Sequence, residues 1–225
     1  MISNTPNPHL KQYEHSNIEK IVKHYIHEYL LSKSKNENIL MLDIGGGRGF
    51  GQTFSRMSNV EYFCLDLNLQ KNTEGITYIQ GDITDSNLNI NKEFDIIITK
   101  DTFEHILNPW DATNNILKLI KNGGVFMCFV PFSWRYHASP YDTYRYSHTG
   151  LQYLFERNNG MKKIQSGYMR FRNIQGFWKN KKDFTMNHPK PFTECIEAVY
   201  IGKRDVTHKF DINDLDKDIS NNHSE

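Results

Sequence analysis

The sequence predicts an α/β domain with a doubly wound, mostly parallel sheet. Short apolar runs recur: Ile39-Leu40-Met41-Leu42-Asp43-Ile44, Tyr62–Asp66, Ile76–Gln80, Phe94–Thr99 and Val125–Val130. Runs with so few polar positions fit strands buried on both faces, as parallel strands are. Helical patterning separates some of them, the alternation of an α/β sheet. The first run leads into Asp43-Ile44-Gly45-Gly46-Gly47-Arg48-Gly49. Such folds bind ligands there, at the carboxyl ends of their strands.

Residues 1–14 read as a mobile arm. Ser16 or Asn17 caps a helix from Ile18 to about Ser32, with Ile18, Ile21, Val22, Tyr25, Tyr29 and Leu30 near one face. Between the fourth and fifth runs, Asn108 caps a helix with Pro109 at its first position and Asp111 in its first turn. That helix runs to about Ile120 and is closed by Asn122-Gly123-Gly124. Residues 131–148 show no period, and a further helix spans Thr149 to Arg157. Two late strands follow, Met161 to Ser166 and Cys195 to Gly202, with an insertion at 167–194 between them. The expected organisation is an N-terminal arm and helix (1–38), one domain (39–204) and a loosely ordered polar tail (205–225).

A length of 225 residues is ample for a single core. A hydrophobic fraction of 38% and a charged fraction of 24% fit a folded chain with a polar surface. The formal net charge of +1 supplies no global field toward nucleic acid or anionic membrane. No run approaches the roughly 20 apolar residues of a membrane span. The first eleven residues lack a basic-then-apolar leader. Cys64, Cys128 and Cys195 are widely spaced and flanked by apolar residues, as reduced core cysteines are. A cytoplasmic protein, monomer or homodimer, is expected.

Three nucleotide-binding patterns compete for the glycine segment. The dinucleotide fingerprint fails, because its last glycine falls on Phe50 or on Gln52. The phosphate-loop pattern fails at Gln52, where a lysine is required. An acid followed by glycines at 45, 47 and 49 remains. Asp66 ends the second run, 23 residues after Asp43, the spacing of a ribose-binding acid. Gly81-Asp82-Ile83 follows the third. Each acid alone reads as a turn cap; three at successive strand ends, beside the glycines, point to a cofactor.

The segment resembles the first motif of class I S-adenosylmethionine-dependent methyltransferases, D-x-G-x-G-x-G, with all four fixed residues present. The resemblance runs from about Leu40 to Glu156. It implies a Rossmann-like three-layer sandwich, with a mostly parallel seven-stranded sheet and an antiparallel terminal hairpin. It also implies that Asp43 acts on the methionine end of the cofactor, with the backbone of Gly45, Gly46, Gly47 and Gly49 passing beside it. Asp66 would hold the ribose and Asp82 the adenine amino group, while Ile83 packs on the ring. Leu67 and Lys100 are carried over to the same cofactor side.

A methyl donor arrives activated, so the protein must align the acceptor and, for a hydroxyl, remove its proton. Two stretches qualify. Lys100-Asp101-Thr102-Phe103-Glu104-His105 resembles the "EH" segment of small-molecule members; Glu104 and His105 also read as fixing the start of the next segment. Pro131 to Ser147 resembles a segment of surface-polysaccharide tailoring methyltransferases, matched at Pro131, Phe132, His137, Pro140, Asp142, Tyr144, Arg145, Gly150 and Leu151. His137 is the candidate base, since an imidazole titrates near neutral pH. Asp142 orients it, Tyr141 lies beside it, Arg145 grips an anionic or hydroxyl-rich acceptor, and His105 completes the set. The competing reading makes Asp142 and Arg145 an ion pair that staples the loop. His137 and Asp142 are acceptable ligands for a divalent ion, but their spacing does not compel one, and no metal is expected.

An N/D-P-P-aromatic motif, found in enzymes that methylate DNA bases, does not follow the fourth run. The expected reaction is methyl transfer from S-adenosylmethionine to a hydroxyl of a sugar-like metabolite, a glycan precursor or nucleotide-linked sugar. Another small hydroxyl or amine acceptor stays open, as does a cofactor-binding protein without catalysis.

Overall fold

The computed structural model describes residues 17–32, 37–46, 50–68, 73–138, 140–173 and 193–216. The elements are α1 (Asn17–Leu31), β1 (Ile39–Ile44), α2 (Phe50–Phe54), β2 (Val60–Asp66), β3 (Ile76–Gln80), β4 (Phe94–Lys100), a 3₁₀ turn (Phe103–His105), α3 (Pro109–Leu119), β5 (Ile120–Pro131), α4 (His148–Glu156), β6 (Met161–Asn173), β7 (Thr193–Arg204) and α5 (Asn213–Asp216). The strands form one seven-stranded sheet in the order β3-β2-β1-β4-β5-β7-β6. Strands β1 to β5 run parallel, while β7 pairs antiparallel with both β5 and β6. This is the Rossmann-like sandwich with a terminal hairpin.

Side-chain alternation explains why the central runs are almost wholly apolar. Along β5, Phe126, Cys128 and Val130 enter the core on one face of the sheet, with Ile116 of α3 and Leu151 of α4. Val125, Met127 and Phe129 enter the other, with Ile18, Val22 and Ile26 of α1. Each fully buried side chain of this size contributes about 1.5–3 kcal/mol of transfer free energy. Cys64 and Cys128 are buried and free. The side chain of Cys195 lies outside the described residues. Among those residues, no helix is long and apolar enough to cross a membrane.

One buried acid ties three elements together. Asp95 of β4 accepts from the Leu40 backbone N–H (2.8 Å), Tyr29 Oη (3.1 Å) and Lys121 Nζ (2.9 Å). Replacing it with alanine removes the acceptor that all three donors share. Asp95→Ala is expected to cost about 3 kcal/mol of stability. Urea unfolding reads this directly, and a loss well under 1 kcal/mol would refute it.

Three expectations are corrected. The late strands run longer than expected, so 167–173 and 193–194 belong to the sheet, not to an insertion. The intervening residues 174–192 lie outside the described residues. Helix α3 ends at Leu119, and Gly123, with φ +85°, sits within β5 instead of closing the helix. The tail is docked as far as 216: the Val206 N–H donates to Asn122 Oδ1 (3.2 Å) and the Phe210 N–H to Asn159 Oδ1 (2.8 Å). The arm at 1–14 lies outside the described residues.

Candidate active site

The sheet order reverses between β1 and β4, whose neighbours lie on opposite sides. The crevice beyond their carboxyl ends is where open α/β sheets bind ligands. Gly45 leaves β1 with φ +75°, and its N–H donates to the Leu65 carbonyl (2.8 Å). A Cβ there would collide with Thr102, and one on Gly46 would run into the Asp43 carboxylate. Bare backbone is therefore required at both positions. Gly47 and Gly49 lie outside the described residues.

Asp43 lies beneath this turn, buried, and accepts a short hydrogen bond from Tyr62 Oη. Burial pushes its carboxyl up to about 6, although the Tyr62 hydroxyl and the charge of Lys100 pull it down. Between pH 4 and 6 the folded chain keeps a proton that the unfolded chain releases. Stability therefore falls as pH rises through that window, by about 3 kcal/mol from this group, and levels off above it. Asp43→Asn is expected to remove that share of the slope in urea midpoints taken from pH 4 to 7; an unaltered slope would refute the assignment.

The next two strand ends lie side by side, since Asp66 pairs with Gln80 and the Gly81 N–H donates to the Asp66 carbonyl (3.0 Å). Asp66 Oδ1 accepts from the Asn68 N–H (2.9 Å). Asp82 Oδ1 accepts from the Thr84 N–H (2.8 Å) and Oγ1 (2.7 Å). Each acid thus also caps its turn. Leu67 is 57% exposed, whereas Ile83 is 6% exposed and belongs to the core, which leaves it little surface for a ring. Lys100 pairs with its neighbour Asp101.

The two stretches expected to serve the acceptor come together. The Glu104 carbonyl accepts from the Thr143 N–H (2.8 Å) and Oγ1 (3.0 Å), and from the Tyr144 N–H (3.3 Å). Tyr146 Oη donates to the Phe103 carbonyl (3.4 Å). The aromatic loop is thereby fastened onto the 3₁₀ turn after β4. Inside the junction, Glu104 Oε1 lies 3.6 Å from His105 Nε2 and 3.6 Å from His137 Nε2. Glu104 is 0% exposed, and neither carboxylate oxygen has a hydrogen-bond partner among the described residues. Burial raises its carboxyl above the ordinary range, against the pull of both imidazoles.

Around this centre, His105 Nδ1 lies 2.5 Å from the Tyr141 carbonyl. His137 Nδ1 lies 3.1 Å from the Arg135 carbonyl and 3.3 Å from Asp142 Oδ2, which also accepts from the His137 N–H at 2.7 Å. Arg145 grips Asp142 through two bonds of 2.5 and 2.7 Å and also donates to the carbonyls of Trp134, Arg135 and Tyr144. It holds the Asp142 carboxyl well below the usual range. Both terminal nitrogens of Arg145 are thus engaged within the loop, as the stapling reading requires. Tyr141 contributes its carbonyl, while its side chain is exposed. Tyr62 is absent from the residues the sequence picks out for the site, and Glu104 stands there only as part of the "EH" segment, with no role of its own. The Glu-His pair was the available signal for Glu104; nothing local signals Tyr62, which reaches Asp43 from another strand.

A family model described as a methyltransferase domain matches residues 13–170. The chain belongs to that family. Its fold is shared with solved methyltransferases. A Haloferax volcanii structure, the Trm112 methyltransferase activator with its methyltransferase, matches at 17% identity and TM-score 0.55, covering 84% of this chain and 93% of that one. The YcgJ protein of Bacillus subtilis matches at 16% and 0.52, covering 81% and 99%. An S-adenosylmethionine-dependent methyltransferase from Mesorhizobium loti matches at 11% and 0.52, covering 79% and 96%. No curated protein matches significantly. The cofactor of this methyltransferase is S-adenosylmethionine, and the bare backbone at Gly45 and Gly46 suits its close approach.

Proposed function

We propose that this methyltransferase acts on a hydroxyl of a sugar or sugar-like small molecule, a glycan precursor or nucleotide-linked sugar used in surface-polysaccharide assembly. The observation that supports it is the His137–Glu104–His105 cluster held under an aromatic loop beside the cofactor crevice. S-adenosylmethionine supplies an activated methyl group. On the cofactor side, Asp66 takes the ribose hydroxyls, Asp82 the adenine amino group, and Leu67 offers apolar surface. Asp43 acts from beneath the turn, through the shape and charge it gives the glycine backbone.

On the acceptor side, His137 Nδ1 faces two acceptors, the Arg135 carbonyl and the Asp142 carboxylate. The proton therefore sits on Nδ1, and Nε2 carries the lone pair that accepts the hydroxyl proton. Glu104 then balances the imidazolium. Trp134, Tyr136 and Tyr141 are exposed on the same loop and offer faces on which a sugar ring stacks. Arg145 keeps the loop in place.

The test is transfer of a labelled methyl group to a panel of nucleotide-linked sugars, with catechols and amines as comparison acceptors. Labelled O-methyl sugar is the expected product. Exclusive labelling of amines, or of no acceptor while S-adenosylmethionine binds, would overturn the reading.

A further inference from the structure

We infer that Glu104, His105 and His137 form a binding site for a divalent transition-metal ion. One ligand atom from each lies within 4.8 Å of the others. Both Nε2 atoms stand 3.6 Å from Glu104 Oε1, close to the edge of about 3.4 Å that a tetrahedral zinc site sets between its ligands. The imidazole rings are 5.0 Å apart and nearly perpendicular, so they approach the shared point from different directions.

The surroundings prepare these atoms for a cation. His105 Nδ1 faces the Tyr141 carbonyl, and His137 Nδ1 faces the Arg135 carbonyl and Asp142. Each Nδ1 is thereby made the protonated nitrogen, and each Nε2 presents a lone pair, as in metal-ligating histidines steadied by an outer acceptor. Two lone pairs and a carboxylate with no hydrogen-bond donor among the described residues then face one another. Such a carboxylate is costly to bury unless positive charge joins it. Two imidazoles and one carboxylate suit zinc, iron, cobalt or nickel better than magnesium or calcium. His137 is 33% exposed at its side chain, which leaves an approach from solvent.

The ion and the hydroxyl proton compete for the same His137 lone pair, so an occupied metal site and His137 acting as base exclude each other in one molecule. That competition rests on the methyl-transfer reading; the binding itself does not.

The experiment titrates Zn²⁺ by calorimetry into the full chain after chelator treatment, and records the visible spectrum with Co²⁺. Glu104→Gln and His137→Ala are run in parallel, each checked for its fold by circular dichroism. One zinc per chain at micromolar affinity or tighter is expected. Each substitution should weaken it by about tenfold or more and abolish the cobalt bands. His137 is partly exposed, so its variant carries the test should Glu104→Gln fail to fold. Absent zinc binding, or equal binding in wild type and a folded variant, overturns the site. S-adenosylmethionine titration and methyl transfer on the same samples are read separately. Methyl transfer without zinc binding sinks only the metal site, and zinc binding without methyl transfer sinks only the hydroxyl-acceptor reading.

Discussion

His137→Ala is expected to lower turnover by about 10²- to 10⁴-fold, the contribution of a positioned acid or base, while S-adenosylmethionine affinity stays unchanged. The separation follows from the contacts. His137 touches Glu104, Asp142 and the Arg135 carbonyl, all on the aromatic loop or the 3₁₀ turn. The glycine turn after β1 is held instead by Leu65 and bounded by Thr102 and Asp43. The Arg145–Asp142 staple also survives the substitution, so the loop keeps its place. Single-turnover rates and calorimetry on the same samples decide it. A parallel loss of cofactor affinity would make His137 a structural residue, and unchanged turnover would remove it from the chemistry.

Asp66→Ala is expected to weaken S-adenosylmethionine binding by about a hundredfold. Two hydrogen bonds from ribose hydroxyls to a carboxylate, at about 1.5 kcal/mol each, make about 3 kcal/mol. The carboxylate also caps its own turn through the Asn68 N–H. Asp66→Asn separates the two roles, because an amide oxygen still caps the turn but carries no charge. An intermediate loss for asparagine supports the ribose contact. Unchanged affinity in both variants would leave Asp66 with the turn alone.

The strands were legible where burial on both faces writes an unbroken apolar run. Phe94 to Thr99 is such a run, and β4 occupies the middle of the sheet. Legibility failed where hydrogen bonding outlasts the core. β6 runs on past Ser166 through Gly167, Arg170, Arg172 and Asn173, as an edge strand needs only one partner and tolerates polar residues. The glycine and these polar positions broke the apolar pattern that marked its first half. Gly123 misled for another reason: its left-handed backbone is a helix stop in most sequences, but here Ile120 already pairs with Phe94. The strand-end acids could be singled out because they follow their strands directly. The two stretches proposed for the acceptor could be read only separately. Their union depends on the Glu104 carbonyl accepting Thr143 and Tyr144, some 40 positions away, and no local pattern encodes that.

That union has an evolutionary consequence. Residues 143–146 grip the turn after β4 through main-chain carbonyls, and Thr102, at the head of that turn, bounds Gly45 and donates to the Ile44 carbonyl (3.3 Å). With loop 131–147 as the acceptor side, as proposed, exchanges within it that spare Thr102 are expected to alter which acceptor is admitted and to leave the glycine turn as it is. A grafted loop that preserves the hydrogens at 143 and 144 should transplant acceptor choice without re-engineering the sheet.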